Sequence, residues 1–539
     1  MRRSASRLRG GEERRPQKNS GGSRLRGDIE GVEVSGETEE ACGICAASCP
    51  RGNALFEVYK MSKELQHRGQ SGAGYTSFNP RRKMILTTHK GLGLVNEVYQ
   101  VSNTESFGQL MEIHAGPRAI GHNRYGTSGV VSQQHVQPFE RRHGKLWKWF
   151  SFGFNGHITN REELERSLKR DGYHLMYDTD TEVMMHFISK YLEEVKDGDM
   201  KDVFRNLSQD FDGAYNIVYI NGEGTTVVVR DPYGFKPLSY TVAEGGTYSA
   251  SESNALNYYN IEGIEDLSPG EMAFLENEEV RVERYAPQRR KSFCYFEFLY
   301  FAHVSSRLEG RSVYQVRKRV GEELARMEFL NINEKEWVII PVPNTARPIA
   351  NAYAKALGLP EIYEEGLIET TKGRTFIEES SRHLKVMTKF HPLRSVLKGK
   401  KVVVIDDSIV RSTTMKTIVN YHLKKLGGAK EVHVRIGTPP IIAPCYYGID
   451  MKTFSELFAA PYQDRIREGV PEEGVAEEMA RRLGADSLMY QSMEGLIRAI
   501  GMPRSELCTA CLTREYPTPW GRRTDERAYR EYLTKSAKG

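Results

Sequence analysis

The pattern of hydrophobic and polar positions divides the chain into two regions. Up to about residue 285, short apolar runs bounded by Gly, Asn or Pro predict β-strands, and apolar positions at helical spacing separate them. The predicted strands include Met84–Thr88, Thr225–Arg230 and Met272–Leu275, and the predicted helices include Leu55–Gln66, Arg161–Arg170 and Thr181–Leu192. Strands segregated from helices predict an α+β sandwich.

After the basic stretch Gln288–Lys291 the pattern changes. Val338–Val342 and Val402–Ile405 are continuous apolar runs, as expected of strands buried on both faces. Long helical segments alternate with them: Val313–Met327, Ile349–Ala356 and Thr414–Leu426. Strands that alternate with helices predict a doubly wound α/β domain. The expected organisation is a tail (1–41), the sandwich (42–285), the α/β domain (286–460) and a helical C-terminal segment (461–539).

The length agrees with this division, and the charge and apolar content exclude some classes of protein. A chain of 539 residues exceeds what one hydrophobic core usually organises. The net charge of +5 is small, and much of it lies in the first 27 residues, so it gives no case for nucleic acid. No window is long and apolar enough to span a bilayer, and the basic N-terminus lacks the apolar region of a secretory signal. We expect a cytoplasmic protein with a disordered N-terminal tail.

The cysteines raise the question of metal or nucleophile roles. There are seven, at Cys42, Cys45, Cys49, Cys294, Cys445, Cys508 and Cys511. An odd count, wide spacing and no secretory signal are typical of a reducing compartment, where structural disulfides are rare.

Cys42 stands where the tail gives way to an apolar run. Alone, a Cys at the start of a strand usually belongs to the core. Six motifs follow it in order: Leu65–Gln70, Gly121–Thr127, Phe154–His157, Thr179–Glu182, Arg230–Gly234 and Ala250–Ser253. This ordered series resembles the class II glutamine amidotransferases, which have the N-terminal nucleophile hydrolase fold and use an N-terminal Cys as nucleophile.

The resemblance implies a role for each matching residue. The Cys42 thiolate would attack the glutamine side-chain amide, with its own α-amino group as general base once the preceding residues are removed. The side-chain amide of Asn155 and the backbone N–H of Gly156 would form the oxyanion hole. Arg124 would bind the substrate α-carboxylate, and Asp180 its α-ammonium.

Cys45 and Cys49 continue a Cys-x-x-Cys-x-x-x-Cys pattern that starts at Cys42. This pattern can be interpreted as a metal site. Core positions are the favoured interpretation, because a nucleophile bound to a metal would be disabled.

The string Val402–Thr414 combines an apolar strand, two acids, a tight loop and a helix start. Backbone N–H groups at a helix start can cradle phosphate, and the two acids can hold ribose hydroxyls directly or through Mg²⁺. The string resembles the 5-phosphoribosyl 1-diphosphate (PRPP) motif of type I phosphoribosyltransferases. The candidate PRPP-binding residues are Asp406, Asp407, Ser408, Arg411, Ser412, Thr413 and Thr414, with Asp406 and Asp407 as magnesium ligands and Arg374, Lys385 and Lys389 as cations for the diphosphate.

Further strings extend the resemblance to the amidophosphoribosyltransferase family, from Cys42 to about Thr518. They include Phe296–Ala302, Gly321–Ala325, Glu364–Ile368, Gly373–Ile377, Val432–Ile436 and Cys445–Asp450. The resemblance implies the conversion of glutamine, PRPP and water to 5-phosphoribosylamine, glutamate and diphosphate, the committed step of purine synthesis. It also implies a homotetramer that purine nucleotides inhibit.

Four departures from the family pattern lie in the phosphoribosyl half. Ser412 replaces a Gly; Pro343–Ala346 lacks the usual acid and glycine; Thr370–Lys372 replaces Arg-Tyr-Val; and Ala302–Ser306 replaces Ala-Arg-Pro-Asp-Ser. They motivate a second hypothesis, a paralogue with an intact glutaminase but altered or lost PRPP activity. A third hypothesis is a non-catalytic iron–sulfur sensor protein, in which a retained tail blocks the amine of Cys42.

The other four cysteines, Cys294, Cys445, Cys508 and Cys511, match the ligand positions of the iron–sulfur subclass of this family. Four thiolates are the usual ligands of a 4Fe–4S cluster. Such a cluster would link the C-terminal segment to both domains. Tetrahedral zinc takes the same ligands and is the alternative, and unrelated buried cysteines are the third possibility.

Overall fold

The computed structural model describes residues 40–125, 132–195, 198–369 and 388–537. The first region contains two antiparallel sheets. The first sheet, in the order β11-β9-β10-β1-β4-β2-β3, contains β1 (Glu40–Ser48), β2 (Gly72–Phe78), β3 (Leu86–Leu92), β4 (Arg118–Tyr125), β9 (Ser239–Ala243), β10 (Gly246–Ala250) and β11 (Glu265–Asp266). The second, in the order β13-β12-β8-β7-β6-β5, contains β5 (Phe139–Arg141), β6 (Phe150–Ile158), β7 (Gly213–Asn221), β8 (Thr226–Arg230), β12 (Glu271–Leu275) and β13 (Val280–Arg284).

The two sheets pack face to face through an apolar layer to which both contribute, for example Ile44 and Ile120 from one sheet and Val218 and Val228 from the other. Helices cover the outer faces. They are α1 (Ala54–Glu64), α2 (Val95–Val98), α3 (Thr104–Ile113) and α7 (Asn257–Asn260) on the first sheet, and α4 (Arg161–Arg170), α5 (Asp180–Glu194) and α6 (Met200–Asp210) on the second. This four-layer arrangement confirms the predicted α+β sandwich.

The second region is built on a parallel sheet in the order β17-β20-β21-β24. Its strands are β17 (Trp337–Pro341), β20 (Lys401–Asp406), β21 (Glu431–Ile436) and β24 (Ser487–Tyr490). The helices of this region are α8 (Val313–Arg326), α9 (Arg347–Ala356), α10 (Arg394–Leu397), α11 (Ser412–Thr417), α12 (Val475–Leu483) and α13 (Met493–Ile500), and π-helical turns span Glu297–Phe301 and Ile418–Gly427. The predicted α/β domain is confirmed.

The predicted end of this domain at residue 460 is too early. Strand β24 lies beyond it and pairs with β21, so the sheet is completed by residues assigned to the C-terminal segment. With four residues, β24 is too short to stand out as an apolar run next to the helices α12 and α13 that flank it.

Short strands complete the structure. They are β14 (Phe293–Cys294), β15 (Arg307–Leu308), β16 (Arg311–Ser312), β18 (Leu367–Glu369), β19 (Phe390–Pro392), β22 (Ile466–Arg467), β23 (Val470–Pro471) and β25 (Leu507–Cys508). The C-terminal helices are α14 (Ala510–Thr513) and α15 (Pro519–Ser536). Helix α15 contacts both regions: the N–H of Trp520 donates to Asp212, and Tyr532 stacks on Phe454. Within the described ranges, no helix has the length and apolar character needed to cross a membrane.

Candidate active site

Cys42 is fully buried in strand β1, beside the end of β4. A bulge interrupts the pairing of the two strands between Glu40 and Gly43, opposite Tyr125 and Asn123. Bulges near active sites redirect side chains, and this one places Cys42 next to Arg124. Because β1 begins at Glu40, the nitrogen of Cys42 belongs to a peptide bond in the full chain. A free amine at Cys42 therefore requires cleavage before this residue.

Strand β6 presents the predicted oxyanion-hole residues in the second sheet. Phe154, the residue before them, makes two backbone contacts. Gln137 accepts from its N–H at 2.7 Å, and His122 contacts its carbonyl oxygen at 3.1 Å. The Asn155 side chain is buried, and neither atom of its amide has a hydrogen-bond partner among the described residues. A buried polar group of this kind usually has a hydrogen-bond partner, so this amide can form hydrogen bonds with a bound ligand.

Gly156 must be a glycine because of close packing. A Cβ at this position would lie 1.9 Å from the carbonyl oxygen of Ala214 on β7. The same argument applies to Gly69 in the first motif, where a Cβ would lie 2.6 Å from the backbone of Asn123, next to Arg124. Both glycines allow strands or turns of the site to approach one another.

Asp180 lies in the first turn of helix α5 and is fully buried. Its Oδ2 accepts from the N–H of Ile158 at 3.0 Å and contacts Nδ1 of His157 at 2.8 Å. The guanidinium of Arg161 lies 3.7 Å from Oδ1. Asp180 is thus attached to the strand that carries Asn155. Sequence reasoning identified the carboxylate but not its two basic neighbours.

A buried ionic network that the sequence analysis did not identify lies behind Cys42. Arg68 is fully buried and binds both oxygens of Glu297 at 2.9 Å, a bidentate pair. It also contacts Glu252, and its Nε donates to the backbone oxygen of Cys42 at 3.3 Å. Burial alone would lower the pKa of Arg68, but the charges of Glu297 and Glu252 outweigh burial and raise it.

Glu252 connects this network to one of the departures from the family pattern. Its Oε2 accepts from the N–H of His303 at 2.8 Å and from the hydroxyl of Ser306 at 2.7 Å, and its Oε1 contacts His67 at 2.8 Å. Burial alone would raise the pKa of Glu252, but His67 and Arg68 outweigh it and lower the pKa. The segment Ala302–Ser306 therefore supports the glutaminase site as well as the α/β domain.

Cys45 and Cys49 are core residues. Cys45 contacts the hydroxyl of Ser62 on α1 at 3.5 Å, and Cys49 contacts the hydroxyl of Tyr248 on β10 at 3.7 Å. Burial raises the pKa of Cys45 to about 12 and that of Cys49 to about 11, which keeps both thiols protonated. The core interpretation of these two residues agrees with the structure.

The two acids of the PRPP motif lie at the carboxyl end of β20, as predicted: Asp406 is its last residue and Asp407 follows it. Asp407 is buried; its Oδ1 accepts from Ser408 at 2.7 Å, and its Oδ2 accepts from the hydroxyl of Thr345. Asp406 accepts from the N–H of Asp407 at 2.9 Å. Burial raises the pKa of both carboxyl groups, and the charge of Asp407 adds to the rise at Asp406. Such a pair favours a nearby cation, which would offset the repulsion between two neighbouring carboxylates.

The loop after these acids leads into α11. Ser412 is the first residue of this helix and has a negative φ, so it replaces the family glycine without backbone strain. Thr413 and Thr414 line the same cavity as Asp406. The guanidinium of Arg411, also at this cavity, is paired with Glu456 at 2.7 Å.

The other candidate cations and departures are only partly described. Arg374, Lys385 and the segment Thr370–Lys372 lie outside the described residues. Lys389 lines the cavity, 3.7 Å from Glu369. The side-chain amide of Asn344 donates to the same glutamate at 2.7 Å.

A cavity of about 430 Å³ lies above the PRPP motif, and Tyr125 of the first half contributes to its wall. Its walls include Asp406 and Asp407 from the α/β domain, Tyr125 from the end of β4, and the aromatic rings of Phe296 and Tyr300. Tyr125 directly follows Arg124 in the chain, so the space above the PRPP motif reaches the end of the strand that borders Cys42.

The four remaining cysteines converge on one cavity, which we call the cysteine cavity. Cys294 on β14 pairs with Cys508 on β25, and the backbone oxygen of Cys511 accepts from the N–H of Ala443, two residues before Cys445. Lys236, Phe296 and Tyr447 also line the cavity. Burial raises the pKa of Cys294 to about 12 and also raises those of Cys508 and Cys511.

The spacing of these thiols bears on their ligand. In the described parts of the chain, no three His, Cys, Asp or Glu side chains are close enough to hold one metal ion. A tetrahedral zinc ion, with Zn–S bonds of about 2.3 Å, requires sulfurs within about 4 Å of one another. Four thiols around one cavity are also the number that a 4Fe–4S cluster binds; those of Cys508 and Cys511 are buried, and those of Cys294 and Cys445 are half-buried.

Comparisons with known proteins agree with the two-domain arrangement. A family model described as a glutamine amidotransferase domain matches residues 122–258, and one described as a phosphoribosyl transferase domain matches residues 312–439. The chain is 37% identical over 490 residues to an amidophosphoribosyltransferase of Methanothermobacter thermautotrophicus, covering 90% of this chain and 96% of the relative. It is 39% identical over 484 residues to that of Pyrococcus horikoshii, covering 89% and 97%.

A solved structure extends the similarity to three dimensions. The glutamine PRPP amidotransferase from B. subtilis, complexed with ADP and GMP, superimposes with a TM-score of 0.74 at 33% identity. The match covers 89% of this chain and 98% of the other.

Proposed function

Because the chain belongs to the amidophosphoribosyltransferase family, we propose roles for its residues in the reaction of glutamine with PRPP. The protein is an enzyme that forms 5-phosphoribosylamine, glutamate and diphosphate from glutamine, PRPP and water, the first step of purine biosynthesis. The observation that supports the residue roles best is the buried amide of Asn155, which has no hydrogen-bond partner among the described residues and lies on a strand that packs against β1.

In the glutaminase half, the Cys42 thiol loses its proton to the α-amino group of the same residue, and the thiolate attacks the glutamine carboxamide carbon. Asn155 and the N–H of Gly156 donate to the oxyanion that forms. The leaving nitrogen takes the proton and departs as ammonia, and water then hydrolyses the thioester to glutamate. Arg124 and Asp180 hold the α-carboxylate and the α-ammonium, so the carboxamide is directed at Cys42.

Ammonia then reaches PRPP through the cavity lined by Tyr125 and Tyr300. Enclosure matters because ammonium in water is mostly protonated and is not a nucleophile. Ammonia attacks the anomeric carbon of PRPP, and diphosphate leaves.

Ser408, Ser412, Thr413 and Thr414 surround the start of α11 and would bind the 5-phosphate through hydroxyl and N–H groups. Asp406 and Asp407 would hold the ribose hydroxyls. Arg411 would reach PRPP only by leaving Glu456, and Arg374 remains a predicted diphosphate ligand.

Two cofactors fit the residues present. Asp406 and Asp407 offer the one or two carboxylates that Mg²⁺ uses when substrate oxygens and water complete its shell, and Mg²⁺ there would neutralise charge on the diphosphate. Cys294, Cys445, Cys508 and Cys511 would hold a 4Fe–4S cluster, which would join the C-terminal segment to the rest of the protein.

We extend the proposal to regulation and assembly. The B. subtilis structure contains ADP and GMP, which supports inhibition of this enzyme by purine nucleotides. A homotetramer and a cytoplasmic location complete the proposal and follow from the family resemblance.

The test compares the full chain with a chain that starts at Cys42, both purified without oxygen and with the N-terminal mass recorded. The expected result is PRPP-dependent release of glutamate and diphosphate in equal amounts, only when Cys42 is N-terminal. Full activity with residues before Cys42 retained would overturn the role of its amine. Iron and sulfide near four each per chain, without zinc, would support the cluster.

A further inference from the structure

The cysteine cavity is connected to the glutaminase centre by a buried lysine. Lys236 lines this cavity and is buried, with its Nζ 3.7 Å from Oε1 of Glu297. The same ammonium donates to the backbone oxygen of Gly448 at 3.5 Å. Lys236 follows the Arg230–Gly234 motif on the sandwich side, whereas Glu297 and Gly448 belong to the second region.

The connection continues to the nucleophile without reaching solvent. Glu297 is fully buried and holds Arg68 through both oxygens, and Nε of Arg68 donates to the backbone oxygen of Cys42. Charges in such a dry environment act on one another more strongly than charges in water. A shift of the Lys236 ammonium therefore changes the force on Arg68.

A second contact links the cysteine cavity to the oxyanion hole. Gly448 packs so closely on Gly156 that a Cβ on Gly448 would lie 3.2 Å from the Gly156 carbonyl carbon. Next to it, the hydroxyl of Thr159 donates to the backbone oxygen of Tyr446 at 2.9 Å. The segment that begins with Cys445 thus packs against the strand that presents Asn155.

We propose that Lys236 is a positioning residue that couples the occupant of the cysteine cavity to Cys42 through Glu297 and Arg68. The inference rests on the proposed cluster in this cavity. A thiolate-bound cluster carries net negative charge and draws the ammonium towards the cavity. Without that charge, Lys236 competes with Arg68 for Glu297, and the support of Arg68 for Cys42 weakens.

The experiment uses the anaerobically purified, full-length mature enzyme and the variants Lys236→Met, Lys236→Arg and Lys291→Met. Lys291 is the matched control, because it also forms an ion pair with a largely buried glutamate, Glu309, but does not line the cysteine cavity. Each protein is analysed for iron and sulfide, for the reduction potential of the cluster, and for kcat and KM of glutamine hydrolysis before and after iron chelation.

In the wild-type enzyme, chelation is expected to lower glutaminase kcat/KM by about 5-fold or more, the usual range of coupling between sites. In Lys236→Met the change is expected to fall below about 2-fold. Its reduction potential is also expected to be lower, because a positive charge that favours the added electron is gone. Lys236→Arg should retain most of the wild-type response, and Lys291→Met all of it.

The outcomes separate the two proposals. A wild-type enzyme without stoichiometric iron and sulfide would overturn the cluster, and the coupling with it. A wild-type response to chelation in iron-loaded Lys236→Met would overturn the coupling alone. If Lys236→Met does not fold, Glu297→Gln tests the same connection from its other end, and an unchanged response in that variant also overturns the coupling.

Discussion

The glutaminase half and the phosphoribosyl half hold their functional residues in different ways. Cys42, Arg124 and Asn155 lie on long strands, where pairing and sheet packing fix each side chain. In the other half the polar groups follow the ends of strands and bind one another: Thr345 and Ser408 hold Asp407, and Asn344 holds Glu369. The proposed glutamine site is therefore held by backbone pairing, whereas in the proposed PRPP site the substrate would replace existing side-chain contacts.

The substitution Cys42→Ala separates the activities of the two halves most clearly. Without the thiol, glutamine-dependent formation of 5-phosphoribosylamine should fall by about 10⁴-fold or more, as is usual when a nucleophile is removed. Activity with added ammonia should remain within about 3-fold of wild type, since the PRPP site is untouched. Rates with each nitrogen source, at equal PRPP, provide the measurement. Loss of both activities would contradict the independence of the halves.

Asn155→Ala tests whether the sandwich site is preformed. Removal of this donor should lower kcat for glutamine hydrolysis by about 10²–10³-fold and change the KM for glutamine much less, because the oxyanion exists only in the transition state. Steady-state kinetics of glutamate release give both values. A rise in KM with unchanged kcat would show that Asn155 binds the substrate and does not stabilise the oxyanion.

His122 connects the two sheets of the sandwich and gives this half a pH dependence. Burial lowers its pKa to about 3, from 6.5, so the folded state binds fewer protons than the unfolded state as the pH falls below about 6.5. The free energy of unfolding should drop by roughly 2 kcal/mol between pH 7 and pH 5 from this residue.

Urea unfolding at both pH values, in wild type and in His122→Gln, measures this difference. The variant cannot be protonated at this position, so its loss of stability on acidification should be smaller. The exposed His174→Gln is the control and should behave as wild type. Equal pH dependence in wild type and His122→Gln would contradict the assignment.

Ser412→Gly should have the smallest effect. Ser412 already has a negative φ at the start of α11, so glycine relieves no strain and adds flexibility to the unfolded chain. We expect a loss of about 0.5–1 kcal/mol in the free energy of unfolding and a change below about 10-fold in kcat/KM for PRPP. Thermal unfolding and PRPP kinetics test both. A gain of several orders of magnitude in PRPP turnover would instead support the paralogue hypothesis.

The sequence predicted residues that belong to compact motifs and missed those that act across the chain. Asn155 and Asp180 each lie in a short string whose order was informative. The partner of Arg68, Glu297, is 229 positions away, and no local pattern predicts a pair at that separation. Strand β24 was missed because four residues carry too little periodicity, and the pairing of Arg411 with Glu456 depends on how a distant loop folds back.

Strand β4 ends with Arg124 and Tyr125, one residue beside the glutaminase centre and the next in the wall of the PRPP cavity. Consecutive Cα atoms of a trans chain are about 3.8 Å apart, so one peptide unit separates the backbone of these two residues. An inhibitor designed for this enzyme can use that short span. A molecule with an amino-acid head for Arg124 and an aromatic group for Tyr125 would occupy the proposed glutamine site and the cavity above the PRPP motif at once. It would block the passage between them.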